Sequence, residues 1–250
     1  KYTFGSGVGV PDLEHAGCVL LWGCNPNVSW LAQAQRIAEA KRRGLRTVVV
    51  DPRRNGPAVK ADSWLQVRPG TDGALALGLA HLMMTEGAYD DEFLCRQSNA
   101  PALVHTGENR LLVEADVVLN GSSDRLVGWD QALSAPMALG PSQSAGDPVK
   151  DWLLDGEVEI DTLEGPVVCR PVFDLSRALG VGYSPPEVNA ITGVPRAQLR
   201  ETARLIWASR PVSGYAWSGV GQHTNATQTA RAITLLYSLT GSLGQAGGNY

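Results

Sequence analysis

The chain has 250 residues, 44% hydrophobic and 18% charged, so it can bury a substantial core, is long enough for one large or two ordinary domains, and does not read as disordered. A formal charge of −4 and a pI near 5.6 give no electrostatic ground for a nucleic-acid or anionic-membrane partner. No apolar run approaches the roughly 20 residues of a membrane-spanning helix, and Cys18, Cys24, Cys95 and Cys169 are too dispersed for a zinc or iron–sulfur signature and read as buried thiols.

Near the amino terminus, Gly5-Ser-Gly7-Val-Gly9-Val10 imitates a dinucleotide fingerprint. Its third glycine position falls on Val10, no strand precedes it and Pro11-Asp12 follows, so the stretch reads as a loop. Cys18 to Trp22 is the first buried strand, and Gly23-Cys24-Asn25-Pro26-Asn27 is the loop at its carboxyl end. That Gly-x-Asn-Pro loop reads equally as a tight turn or as backbone N–H groups offered to phosphate oxygens at a helix start. Ser29 is expected to cap a helix with the face Trp30, Ala34, Ile37 and Ala38, stopped at Gly44. Lys41, Arg42, Arg43 and Arg46 suit the negative end of that helix.

Val48 to Val50 form a second buried strand ending at Asp51 and closed by Pro52. In an open parallel α/β sheet an acid at this place commonly accepts a hydrogen bond from a ribose hydroxyl, which makes Asp51 a candidate nucleotide contact. Arg53, Arg54 and Lys60 flank it and suit phosphate. Trp64 to Val67 is a third strand, followed by Arg68-Pro69-Gly70-Thr71-Asp72, where Thr71 or Asp72 is expected to cap a helix running to Glu86. The helix is nearly all apolar and belongs inside the domain, and His81 within it is expected to be a hydrogen-bonded core histidine rather than a ligand. A short helix through Glu92, Phe93 and Leu94 comes after the break at Gly87.

Residues 105–170 read as an insertion over the α/β body, either a lid or a docking surface. Residues 121–150 are expected to be a long surface excursion, and Val158–Thr162 to pair with Val167-Val168-Cys169 across a turn at Glu164-Gly165-Pro166. Pro185 and Pro195 open two further helices, the second with Leu199, Ala203, Ile206 and Trp207 on one face. A strand from Val212 to Trp217 leads into a glycine-rich loop, a helix spans Ala226 to Leu239, and the chain closes on Thr240 to Gly248, whose flexible positions suit close approach to a large ligand.

Seven short signatures, in this order, carry a resemblance: Gly23-x-Asn25-Pro26, Val-Val-Val-Asp51-Pro52-Arg53, Ala61-Asp62, Arg68-Pro69-Gly70-Thr71-Asp72, Gly219-x-Gly221-x-His223-Thr224-Asn225, Arg231, and Leu239-Thr240-Gly241-x-Leu243-Gly244. Together they resemble the molybdenum or tungsten bis(molybdopterin guanine dinucleotide) oxidoreductases, the dimethyl sulfoxide reductase family. The resemblance implies an α/β, Rossmann-like fold over residues 1–240, a mostly parallel sheet with helices on both faces, and a crossover at 241–250 towards a neighbouring domain. It also implies oxygen-atom or hydride exchange with a small-molecule substrate, in cytoplasm or periplasm. Electrons would leave through an iron–sulfur cluster in an amino-terminal region outside this chain, and the implied partner is an electron-transfer subunit.

Position by position, the resemblance assigns Asp51 to the nucleoside, Asp72 to guanine, and Gly23, Asn25 and Pro26 to the phosphates, with Pro52, Arg53, Pro69, Gly70, Gly219, Gly221, Thr240 and Gly241 also cofactor-facing. His223, Thr224 and Asn225 would lie near the pterin, and His223 and Arg231 are the candidate catalytic residues, Arg231 towards substrate. The family's metal ligand precedes the first strand and maps onto no residue here, Cys24 included, so this stretch alone is expected to be inactive. A non-catalytic scaffold subunit of an electron-transfer complex, a non-redox hydratase-type relative and a thiamine-diphosphate domain are the alternatives. The scaffold has no reason to retain Asp72, His223 and the last glycine-rich loop.

Overall fold

The structure is a computed structural model that describes residues 10–54, 56–140 and 151–249. The glycine-rich start at 1–9 and the 141–150 part of the expected excursion lie outside the described residues. In chain order the elements are β1 (Cys18–Trp22), α1 (Pro26–Ser29), α2 (Leu31–Arg42), β2 (Arg46–Val50), α3 (Gly56–Val59), β3 (Ser63–Leu65) and α4 (Asp72–Thr85). Next come α5 (Asp91–Gln97), β4 (Leu103–His105), β5 (Arg110–Leu111), α6 (Glu114–Val117), β6 (Val127–Asp130), β7 (Ala135–Ala138), β8 (Val158–Thr162), β9 (Gly165–Pro171) and α7 (Val172–Leu179). A 3-10 turn (Gly180–Tyr183) then leads to α8 (Pro185–Thr192), α9 (Arg196–Ala208), β10 (Val212–Ala216), α10 (Ser218–Gly221) and α11 (Ala226–Leu239). The chain divides into two compact units, one built from the residues up to Asp90 and from Gly180 onward, the other from Asp91–Leu179.

The first unit is a parallel sheet in the order β10-β1-β2-β3 with helices on both faces. Its register sets Cys18 beside Val212 and Arg46, and Trp22 beside Ala216 and Val50. The strands are runs of apolar and β-branched residues because neither face meets water. Val19, Leu21, Val49 and Tyr215 pack with Ile37 and Ala40 of α2, while on the other face Gly214 is a glycine because a side chain there would strike the Tyr237 hydroxyl of α11. From β1 the chain steps to β2 and β3 on one side and returns to β10 on the other, so the strand order reverses between β1 and β10. Ligands of open α/β sheets bind at such a reversal, beyond the strand carboxyl ends.

Both outer strands carry a side-chain partner on their backbone. On β10, Asn249 Oδ1 accepts from Gly214 N at 2.9 Å and Asn249 Nδ2 donates to Gly214 O at 3.0 Å; on β3, Gln198 Nε2 donates to Trp64 O at 2.6 Å. At the amino end of β2, Asp62 accepts from Lys41 Nζ, Arg46 Nη1 and Thr47 N, each at 2.8 Å, and from Thr47 Oγ1 at 3.0 Å. The Ala61-Asp62 signature is thus a structural tie that also explains Lys41 and Arg46.

Several expectations need correction. Pro26 nucleates its own short turn, whose last residue, Ser29, donates its Oγ to Asn25 O at 3.0 Å instead of capping α2. Trp30, at φ −155°, breaks the chain there, and α2 buries Gln33, Ile37 and Ala40, leaving Ala38 exposed. Neither Thr71 nor Asp72 caps α4 through its side chain: Thr71 Oγ1 donates to Arg68 O at 2.7 Å. The strand expected to reach Val67 stops at Leu65. His81 is half-buried against Gly180, and its buried Nδ1 has no hydrogen-bond partner among the described residues; burial lowers its pKa. Three of the cysteines are buried and Cys95 is partly so, and burial pushes Cys18 up to about 12 and the other three to about 11.

The second unit is an antiparallel sheet, β5-β4-β9-β8, over a small core of Leu103, Leu112, Val127, Ile160 and Cys169. The β8–β9 hairpin forms as the alternation predicts, but Gly165 (φ +127°) already pairs with Thr162, leaving Leu163 and Glu164 as the connection. Part of the expected excursion is ordered into a second hairpin, β6–β7. Gly128 in it is a packing residue, since a Cβ there would lie 2.9 Å from the Trp152 ring.

Candidate functional site

Beyond the carboxyl edge of the parallel sheet, three strand ends and the start of α4 enclose a cavity of about 630 Å³. β1 contributes Gly23 and Asn25, β2 contributes Asp51, Pro52 and Arg53, and β10 contributes Trp217, Ser218 and Gly219, while Val67, Pro69 and Asp72 follow β3. Val28, Ser29, Val50, Gln222 and His223 complete the wall.

The cavity lies at the reversal between β1 and β10, where the backbones touch. A Cβ on Gly23 (φ +53°) would come within 2.9 Å of Gly219 Cα, and one on Gly219 within 2.8 Å of Gly23 Cα. Glycine is required at both positions for the two loops to close over the crevice. Asp51 and Asp72 line this space with acceptor atoms that no other described residue fills, whereas the Asn25 side-chain oxygen is turned against Gly56 and shut off from it. Asp51 is 6% exposed; its Oδ1 accepts from Arg53 N at 2.8 Å, and its Oδ2 has no hydrogen-bond partner among the described residues. Asp72, 7% exposed, bonds to no other described residue, and the buried Asn25 Oδ1 is likewise unpartnered.

Burial raises the Asp72 pKa, as does the Asp51 charge, while its own backbone N–H and the nearby His223 pull it down. His223 stacks behind Gly70: a Cβ on that glycine (φ +82°) would lie 3.3 Å from His223 Nδ1. Trp217 leans on Trp30 with ring centroids 5.4 Å apart, giving the cavity an aromatic flank.

Of the residues singled out from sequence, Gly23, Asn25, Asp51, Pro52, Arg53, Pro69, Asp72, Gly219 and His223 line one cavity. Pro26 is buried behind the wall and Gly70 backs His223, whereas Gly221 and Thr224 are exposed and stand off it. Arg231 is exposed on α11, also off the wall and with no ion-pair partner among the described residues. Thr240 and Gly241 lie at the opposite edge of the sheet. Thr240 Oγ1 shares a 2.9 Å hydrogen bond with Ser242 Oγ, which accepts from Val212 N at the amino end of β10. Sequence reasoning missed Val28, Ser29, Val50, Val67, Trp217, Ser218 and Gln222. For Trp217 and Ser218 a signal existed, because they directly follow a buried strand, as Gly23 and Asp51 do.

A family model described as "Molybdopterin oxidoreductase" matches residues 1–250. The chain belongs to this family. It is 33% identical to the alpha subunit of perchlorate reductase from Dechloromonas aromatica over 95% of the chain and 28% of that protein. It is 32% identical to a putative dimethyl sulfoxide reductase catalytic subunit from Halobacterium salinarum, over 94% of the chain and 27% of that protein. Among solved structures, acetylene hydratase from Pelobacter acetylenicus shares the fold with a TM-score of 0.61 at 22% identity, over 97% of this chain and 23% of that one. The chain spans about a quarter of the length of these relatives.

Membership of the molybdopterin oxidoreductase family implies a molybdenum or tungsten molybdopterin cofactor. The residues present fit the polar part of such a group. The nearly buried Asp51 and Asp72 carboxylates on the cavity wall suit N–H and O–H donors. Among the described residues there is no cluster of ligands for a metal ion, and no helix is long and apolar enough to cross a membrane.

Proposed function

We propose that this chain is the central cofactor-binding region of a molybdenum or tungsten oxidoreductase, and that its cavity takes a guanine nucleotide arm of bis(molybdopterin guanine dinucleotide). The convergence of two nearly buried carboxylates, Asp51 and Asp72, both with unused acceptor atoms, on one cavity beyond the strand carboxyl ends carries this reading. When bound, the metal centre supplies two-electron chemistry, exchanging an oxygen atom or hydride with a small-molecule substrate.

The chain's own part is to bind and orient. Asp72 accepts the two parallel N–H groups of a guanine edge, a bidentate match that adenine does not offer. Asp51 Oδ2 accepts from ribose, and Arg53, on the rim, faces phosphate. His223 and Thr224 stand on the pterin side, and Arg231 is held out on α11 for substrate. Residues beyond Thr240 lead towards a neighbouring domain of the longer protein. An iron–sulfur cluster in an amino-terminal region completes the path, together with an electron-transfer subunit, and the alpha-subunit names of relatives support the existence of partner subunits.

The test is made on the full-length protein, purified from its own host grown with molybdate and tungstate. Metal content and GMP released on denaturation are measured in one sample. One metal and two GMP per chain are expected; a folded protein with neither would overturn the reading in favour of the scaffold role.

A further inference from the structure

The loop that bears Asp51 is held by side chains that do not line the cavity. Trp64 Nε1 donates to Asp51 O at 2.9 Å, and Gln66 Nε2 donates to Pro52 O at 3.1 Å. The same Trp64 ring carries the Arg54 guanidinium at 5.6 Å from its centroid. Both carbonyls are therefore turned towards β3, the Asp51 carboxylate is left to close back on Arg53 N, and the two consecutive arginines are sorted, Arg54 over the indole and Arg53 on the cavity wall.

We infer that Trp64 is a positioning residue for the nucleotide site, assisted by Gln66. Its N–H fixes the direction in which the Asp51 carboxylate leaves the backbone, and its ring face keeps Arg54 out of the place that Arg53 occupies. The inference rests on the nucleotide reading of the cavity. It adds a specific claim: an aromatic N–H outside the cavity governs how long the cofactor stays.

Trp64→Phe keeps a ring for Arg54 and removes the donor. Ser63→Ala is the matched control, because it deletes the 2.7 Å hydroxyl bond between Ser63 and Thr202 from the same strand without touching the loop. The readout is the rate at which the full-length enzyme loses GMP-bearing cofactor at a fixed temperature, alongside Tm. Trp64→Phe should lose cofactor roughly three- to tenfold faster than wild type, the loss of one neutral hydrogen bond, while Ser63→Ala keeps the wild-type rate at a similar fall in Tm. Equal rates in Trp64→Phe and wild type, or equal acceleration in both variants, would overturn the inference. A wild-type enzyme that releases no GMP would instead overturn the nucleotide reading beneath it. Gln66→Leu, at an exposed position, provides the same comparison if Trp64→Phe does not accumulate.

Discussion

Asp72 holds opposing demands on one side chain. It is buried at the start of α4 with no hydrogen bond to another described residue, and burial raises its pKa. In the unfolded chain it ionises near pH 4 and in the folded chain later. From that point upward the empty fold pays for the charge, and the penalty is complete above the folded value. Asp72→Asn should therefore raise the Tm of the cofactor-free protein at neutral pH and leave it unchanged in strong acid, while greatly reducing GMP content. A lower Tm at neutral pH would mean that the carboxylate stabilises the fold. Arg231 poses a simpler question, since no ion-pair partner meets it among the described residues. Arg231→Ala should leave metal, GMP and Tm unchanged and cut kcat by roughly tenfold or more, the loss of one charge-assisted contact; unaltered turnover would remove it from the substrate side.

At the scale of elements, the legible parts were those that burial dictates alone. β1 and α11 run between the residues that hydrophobic pattern predicts, because an uninterrupted apolar run or a 3.6-residue stripe leaves one solution. The start of α2 was not legible. Its break at Trp30 goes with an edge-on contact to Tyr215, 5.6 Å between centroids, from a strand far along the chain. The candidate site divides in the same manner. Asp51 and Gly23 sit at strand ends that pattern reveals, whereas the facing of Gln222 depends on tertiary packing.

Asp62 is a case where the motif was legible and its reason was not. Burial favours its protonated form, yet hydrogen bonds from Lys41, Arg46 and Thr47 outweigh this and hold its pKa well below the usual carboxylate range. A depressed folded pKa gives stability that is fully present above the unfolded value near pH 4 and lost as pH falls towards the folded value. Asp62→Ala should cost on the order of 2 kcal/mol in denaturant unfolding at neutral pH, and the gap from wild type should narrow below about pH 4. A gap that persists unchanged in acid would assign the cost to packing instead of charge.

Across the whole molecule, the ordered series of short signatures located the family although each one is weak, because the fold places most of their side chains at successive strand ends of one sheet. Among the described residues the sheet has four strands, in the order β10-β1-β2-β3, and each outer strand meets a carboxamide, Asn249 on Gly214 and Gln198 on Trp64. An outer strand with vacant ladder groups is a template on which a second molecule can add its own strand, the first step towards aggregates. Here that step must first displace a side chain already hydrogen-bonded at the point of attachment. Asn249 and Gln198 thus occupy, among the described residues, ladder groups to which a further strand would otherwise add.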